Sequence, residues 1–374
     1  MRVYQAMMLI TLLLMSFVSD SARKEESVQT SLQHASFTIL QYHHISDSTP
    51  AITSTPPAIF AEHLQYISEH HTVISLEEAL DAVLNRKSLP SNAVVISFDD
   101  GYLSIFENAH PLLAKYAMPY TVFINPDELA HSYLQLNWQQ IKSMMPLATF
   151  ANHTLDHIHL AERIANESEQ DWLNRVLANI QNAEKKIELQ LGYSKKWLAY
   201  PYGEYNTVLK NALLDLDYIG FAQHSGAVAE YSDFGALPRF PAAGIYANLN
   251  TLKLKMHTLP MPIETSSIQD PVKQAGSKLA EYTLTTTPLD VNVGILSAAD
   301  MHYQHFACYF NGEALPVTTN KVNKAMEITV NFTHEFSPGR TRVNCTAPSL
   351  TQKGRFYWYS QAFFVPKENG EYLE

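Results

Sequence analysis

Cysteine is scarce in this chain. Among 374 residues only Cys308 and Cys345 occur, both in the C-terminal third. Two thiols are too few for a disulfide-stapled scaffold, so the fold has to rest on an apolar core. Positive charge is also short, with 26 Lys and Arg against 37 Asp and Glu and a net charge of −11. That balance argues against a nucleic-acid-binding surface and suits a protein that handles a neutral or cationic polymer. Long hydrophobic runs are absent beyond the N-terminus, so no stable membrane span is expected. There is no internal repeat and no low-complexity tract.

The N-terminus has the layout of a secretory signal over residues 1–21: Arg2, then the apolar run Met7–Val18, then the small residues Ser19-Asp20-Ser21-Ala22. An uncleaved anchor is the alternative. A polar linker over 22–35 follows. The protein is therefore expected to be exported, periplasmic or secreted. In such an oxidising compartment Cys308 and Cys345 are expected to bond, the alternative being two buried free thiols.

The chain is organised around Val94-Val95-Ile96-Ser97-Phe98-Asp99-Asp100-Gly101-Tyr102, an apolar β-branched run that leads into two adjacent carboxylates. Such a run reads as a strand buried on both faces, and strands of that kind carry their functional residues at their C-terminal ends. Adjacent carboxylates repel unless a cation or a shared proton holds them. Before this strand, Phe37 to His44 forms another, ending in two histidines. After it, strands and helices alternate to about His257, with polar residues clustered behind the strands. That alternation predicts an α/β barrel or an open parallel sheet over residues 36–260. From 261 to 374 the pattern changes to short alternating runs, at Val291–Gly294, Phe306–Phe310, Met326–Phe332, Arg340–Asn344 and Phe356–Val365. Turns such as Asn311-Gly312 separate them, and a small β-sandwich is expected there.

His153 and His157 stand four apart directly after a predicted strand, a spacing that brings two imidazoles to one point. With Asp100 they make a two-histidine, one-carboxylate metal site with open positions. Thr154 could brace the loop, and His159 competes as second ligand. The plain alternative is ordinary histidines in a chain that has sixteen.

Ser97-Phe98-Asp99-Asp100-Gly101, His153-Thr154-Leu155-Asp156-His157 and Pro201-Tyr202-Gly203 occur in that order, each after a predicted strand. The ordered set resembles the leading motifs of the polysaccharide deacetylases, the NodB-homology or carbohydrate esterase family 4 group. The resemblance spans roughly Phe37 to His257. It implies a deformed (β/α) barrel and a divalent metal, commonly zinc. It further implies Asp99 as general base, Asp100, His153 and His157 as metal ligands, and the Tyr202 backbone N–H as an oxyanion donor.

Two departures matter. No arginine precedes the Pro-Tyr turn, where the chain reads Trp197-Leu198-Ala199-Tyr200; Arg239, in Leu237-Pro238-Arg239, could supply that charge. The Leu-x-x-His element is early, at Leu40-Gln41-Tyr42-His43, so His43 is the expected general acid, with His44 and His257 as alternatives. These departures resemble the circularly permuted branch that includes deacetylases of poly-β-1,6-N-acetylglucosamine. Trp197, Tyr200 and Tyr205 flank the Pro-Tyr-Gly turn and could stack on sugar rings or pack the barrel rim. The expected activity is removal of N-acetyl groups from an N-acetylglucosamine polysaccharide. The alternatives are an O-acetyl esterase using the same residues and a catalytically silent glycan-binding protein.

Overall fold

The computed structural model of the chain describes residues 35–289 and 298–373. The signal expected over 1–21, nearly all of the linker and the run Val291–Gly294 lie outside them.

Strand β1 (Ser36–Tyr42) is buried at six of its seven positions and β2 (Ala93–Phe98) at every one. Continuous burial of this kind belongs to a parallel sheet covered on both faces. β3 (Tyr120–Ile124), β4 (Ala148–Asn152), β5 (Trp197–Ala199) and β6 (Ile219–Phe221) continue the sheet in chain order, each parallel to the one before. The far side of β1 carries β7 (Ala227–Ala229), antiparallel, and β8 (Phe240–Pro241), parallel. The expected barrel is therefore only partly closed. β5 and β6 are three residues long and offer too few backbone groups to wrap the sheet fully round. The chain itself crosses the opening, with Leu237 bridged to Phe221 and Phe240 paired with Leu40.

Helices pack on this sheet for local reasons. α1 (Pro57–His70) starts on a proline, whose missing N–H costs nothing in a first turn, and buries Phe60, Leu64 and Ile67. α2 (Leu76–Leu84) is capped by Ser75 Oγ, which accepts from the Glu78 N–H at 3.1 Å. The segment after β2 opens as a π-turn, Ile105–Ala109, leading into α3 (His110–Lys115). Pro111 has no N–H to continue an α ladder, and the wider turn absorbs that gap. After α4 (Trp138–Met144), α5 (Glu169–Leu191) buries Trp172, Val176, Ile180 and Ile187 and stops at Gly192 with φ 81°. α6 (Thr207–Asp215) and α7 (Leu249–Met256) complete this part.

The C-terminal part is two sheets around one core. β9 (Leu259–Pro260), β17 (Phe356–Val365), β16 (Gly339–Pro348), β12 (Ala307–Phe310) and β13 (Glu313–Leu315) lie side by side in one. β10 (Ile263–Ser266), β11 (Glu281–Thr286), β15 (Ala325–Asn331) and β14 (Val317–Val322) form the other. Leu284, Ile328 and Val330 from the second sheet pack with Cys308, Val343 and Phe363 from the first. Each such fully buried side chain contributes about 1.5–3 kcal/mol of apolar burial. Cys308 and Cys345, directly opposed on β12 and β16, are disulfide-bonded. Phe364 and Tyr372 also pack with Trp172, Tyr200 and Leu209, so the β part sits against the parallel sheet's last helices and strands.

Candidate active site

The C-terminal ends of the parallel strands converge on one rim, and the candidate residues gather there. Asp99 and Asp100 follow β2, His153 follows β4, Tyr202 lies just past β5, and His43 follows β1. The backbone at this rim is held in an uncommon state. Asp100, Thr154, His157 and Tyr202 all have φ between 56° and 72°, a region that non-glycine residues seldom occupy and that clusters at functional sites. Gly101, at φ 68°, turns the chain beneath Asp100, where a Cβ would come within 3.0 Å of Ile124.

Asp99 is fully buried. Arg239 grips it with both terminal nitrogens, Nη1 to Oδ1 at 2.6 Å and Nη2 to Oδ2 at 2.8 Å, while Gln41 Nε2 donates to Oδ2 at 2.6 Å. Arg239 is itself fixed by Nε donating to the Ala222 carbonyl at 3.0 Å and by the Phe123 ring, 5.3 Å from its guanidinium. Burial alone would raise the Asp99 carboxyl; the Arg239 charge, then His153, outweigh it and hold the group below the usual carboxylate range. Asp99 is thus kept ionised in a dry site. The positive charge beside Asp99 comes from Arg239, well after the Pro-Tyr turn, and not from residues 197–200 before it.

Asp100 faces the two histidines. Its Oδ1 lies 3.1 Å from His153 Nε2 and 3.3 Å from His157 Nε2. His153 Nδ1 is 2.8 Å from the Ala199 carbonyl, which can only accept, so the ring proton sits on Nδ1 and the Nε2 lone pair points at Asp100. Neither Asp100 Oδ1 nor His153 Nε2 has a hydrogen-bond partner, although both are buried. Two acceptors at this distance call for positive charge between them. The same demand appears in the titration of His153: burial pushes it down, but Asp100 and Asp99 hold it above its ordinary value. His157 goes the other way, to about 4, through burial and the neighbouring His153, and keeps its lone pair free. The three side chains offer ligand atoms within 4.8 Å of one another, and their chemistry fits a divalent cation.

The loop carrying the histidines is braced from below. Thr154 Oγ1 accepts from the His157 N–H at 3.1 Å, the Thr154 N–H donates to Asn152 Oδ1 at 2.8 Å, and Asn125 Nδ2 donates to the His153 carbonyl. The Tyr202 ring lies 4.5 Å from that of His157 and stacks on His159 at 4.0 Å. His159 does not join the cluster; its Nδ1 bonds the buried Glu204 at 2.8 Å. His43 lies close enough to Asp99, Asp100 and His157 for its charge to act on each. His44 instead stacks on Tyr102 at 3.5 Å, and burial lowers it to about 4. His257 packs against His71, whose Nδ1 meets the Asn92 carbonyl just before β2, and so lies at the opposite end of the strands.

Three expected sugar platforms are not there. Trp197, Tyr200 and Tyr205 are at most 7% exposed. Tyr200 donates to the Gly235 carbonyl, and Tyr205 meets Phe364 edge to face, so these rings pack the core and the contact with the β part. A ring with no exposed face cannot stack on a sugar. The sequence reading also missed Gln41 and Asn125. Each sits one residue from, or directly after, the end of a buried strand, and that placement was the available signal.

Residues 86–220 match the family described as polysaccharide deacetylase. A Bacillus subtilis (strain 168) chain named as a polysaccharide deacetylase is 25% identical over 208 residues, covering 55% of this chain and 71% of that one. The poly-β-1,6-N-acetyl-D-glucosamine N-deacetylase of Staphylococcus aureus (strain MRSA252) is 29% identical over 191 residues, 48% of this chain. The match spans 64% of the staphylococcal protein, less than two thirds of its length. The fold is shared with the Streptococcus pyogenes deacetylase PplD in complex with acetate, at TM-score 0.53 and 24% identity over 60% of this chain and 99% of that one. It is shared also with a de-N-acetylase from Aggregatibacter actinomycetemcomitans, at TM-score 0.52 and 21% identity over 58% of this chain and 98% of that one.

Proposed function

We propose that this chain, which carries a polysaccharide deacetylase domain and so belongs to a family of hydrolases of the N-acetyl amide bond, is a metal-dependent N-deacetylase of an exported N-acetylglucosamine polymer, β-1,6-linked by preference. The observation that carries the reading is the pair of buried acceptors, Asp100 Oδ1 and His153 Nε2, beside an ionised and arginine-clamped Asp99.

Asp100, His153 and His157 would hold the ion, which when bound supplies a Lewis acid for the amide carbonyl and for water. Asp99 takes the proton of the attacking water. Its bonds to Arg239 and Gln41 fix its direction, so Arg239 is a positioning residue. The Tyr202 N–H, turned by the left-handed backbone at Tyr202 and Gly203, donates to the oxyanion. His43 protonates the leaving amine. The Cys308–Cys345 bond supports export to an oxidising compartment. Among the described residues no helix is long and apolar enough to cross a membrane. The preference for β-1,6 linkage is supported by the early Tyr42-His43 element and by Arg239 arriving late in the chain.

The test is acetate release from β-1,6- and β-1,4-linked N-acetylglucosamine oligomers, with and without chelator. We expect release from the β-1,6 series that chelation abolishes and zinc restores. Release that survives removal of the metal to background would overturn the reading.

A further inference from the structure

Beside the Tyr202 turn, a cleft of about 880 Å³ opens between the parallel-sheet part and the β part. Its walls carry Lys255, Arg340 and Arg342 but no aspartate or glutamate, in a protein of net charge −11. Arg340 is neutralised, since its Nη1 meets the buried Glu204 at 3.1 Å. The other two have no such partner. Lys255 Nζ donates to the Pro241 carbonyl at 3.3 Å; Arg342 donates to the Gln223 carbonyl at 3.1 Å and to the Tyr246 hydroxyl at 3.3 Å. Neither forms an ion pair among the described residues. Both cations flank one ring, with Lys255 Nζ 4.8 Å and the Arg342 guanidinium 5.7 Å from the centroid of Tyr246. Lys255 is pulled down to about 8 by burial and by Arg342, with no carboxylate offsetting either.

The two like charges repel each other in this part-buried cleft, beyond what the Tyr246 ring and the carbonyls offset, and an anion bound beside them would relieve that repulsion. The cleft is too large for a small ion alone, and Tyr246 and Tyr309 present partly exposed rings of the kind that cover sugar faces. It also reaches the active-site turn directly, through Tyr202 and Gly203. We propose that Lys255 and Arg342 form a subsite for an anionic substituent, carboxylate or sulfate, on a sugar of the polymer, so that N-acetylglucosamine chains bearing acidic groups bind better than the neutral chain, which remains a substrate. This rests on the deacetylase reading and extends it. The charge logic also fits turnover: the N-acetyl unit enters uncharged, while the amine product is cationic and is repelled by the same two side chains.

The test uses the full chain and two hexasaccharides, hyaluronan (alternating glucuronate and N-acetylglucosamine) and the neutral β-1,6-linked N-acetylglucosamine hexamer. Binding is measured by calorimetry and turnover by acetate release. We expect the hyaluronan hexasaccharide to bind about tenfold tighter at about 50 mM NaCl, with the preference shrinking at about 500 mM as the charges are screened. The preference should vanish in the Lys255→Gln, Arg342→Gln double variant and persist in Lys255→Arg, Arg342→Lys. If the glutamine pair does not fold, Lys255→Gln alone carries the test. Equal binding of a keratan sulfate hexasaccharide, which bears sulfate and no carboxylate, would support any sugar-borne anion as the ligand; weaker binding would assign the carboxylate. Equal affinity for acidic and neutral oligomers, or a preference untouched by the glutamine variants, overturns the proposal. Acetate released from the neutral hexamer without acidic preference would remove the subsite and leave the deacetylase standing. Acidic binding that needs Arg342, with no acetate from any oligomer, would do the reverse.

Discussion

Asp99 and Glu204 are both fully buried carboxylates met by an arginine from far along the chain, Arg239 at 140 positions and Arg340 at 136. The two arrangements differ in what surrounds them. Arg239 has no exposure, binds Asp99 through two nitrogens and is itself locked by a carbonyl and a ring. Arg340 is 34% exposed at its side chain, reaches Glu204 through one nitrogen and shares it with His159, while its guanidinium lies 5.0 Å from the Tyr202 ring. The first pair fixes the direction of the carboxylate proposed as base. The second ties the Tyr202 turn to a strand of the β part. Similar chemistry thus serves direction in one place and attachment in the other, and solvent access decides how much each is worth.

The sharpest test of the first pair is Asp99→Asn. It should retain bound metal, measured by elemental analysis, and lose acetate release by roughly a hundredfold to ten-thousandfold, the range of a general base. Loss of metal together with activity would mean that Asp99 and Asp100 have exchanged roles. Arg239→Met comes next. It leaves a buried carboxylate with only Gln41, so activity should fall at least about tenfold and stability by about 3–5 kcal/mol in urea unfolding. The pH dependence follows from the same pair. Because the folded Asp99 carboxyl lies below its unfolded value, its contribution is present above the ordinary carboxylate range and is lost as pH falls through the lowered value. In Arg239→Met that acid limb should move to higher pH.

Arg340→Met should be milder, costing about 1 kcal/mol or less as suits a part-exposed pair, with a few-fold loss of turnover through the Tyr202 turn. A loss equal to that of Arg239→Met would erase the contrast between the pairs. Smallest for the active site is removal of the disulfide. Cys308→Ser with Cys345→Ser should cost the β part about 2–4 kcal/mol in thermal unfolding and leave metal content unchanged.

Much of the site was legible in the sequence because its residues announce themselves in motifs. Asp99-Asp100, His153 and His157 each follow an apolar run; the four-residue spacing pairs the two histidines, and the ordered family motifs join them to the aspartates. Arg239 was legible only through the family resemblance, as a charge that could stand in for the arginine missing before Pro201. Gln41 was not, because a glutamine inside a strand carries no signal until the facing carboxylate is known. Trp197, Tyr200 and Tyr205 illustrate a different limit: sequence gives an aromatic its neighbourhood but not the face it presents, and all three turned inward. In the fold, the alternation of strands and helices was readable, whereas closure was not. It depends on three-residue strands and on the antiparallel β7, elements too short to leave a pattern.

The order of strands has a consequence for how the protein comes into being. β1 is made first, yet its reactive end is completed by β2 and then by β8, with Leu40 paired to Phe240. During synthesis Gln41, Asp99 and Asp100 therefore emerge well before Arg239. Until that arginine arrives, drying out Asp99 costs several kcal/mol with little to offset it. The early half of the sheet has no incentive to seal, and contacts spanning such distances along the chain form slowly. Assembly of this rim therefore waits on the segment that closes the sheet, which also carries the charge that makes closing favourable: Asp99 cannot be sealed in before residue 239 of the 374 has been made.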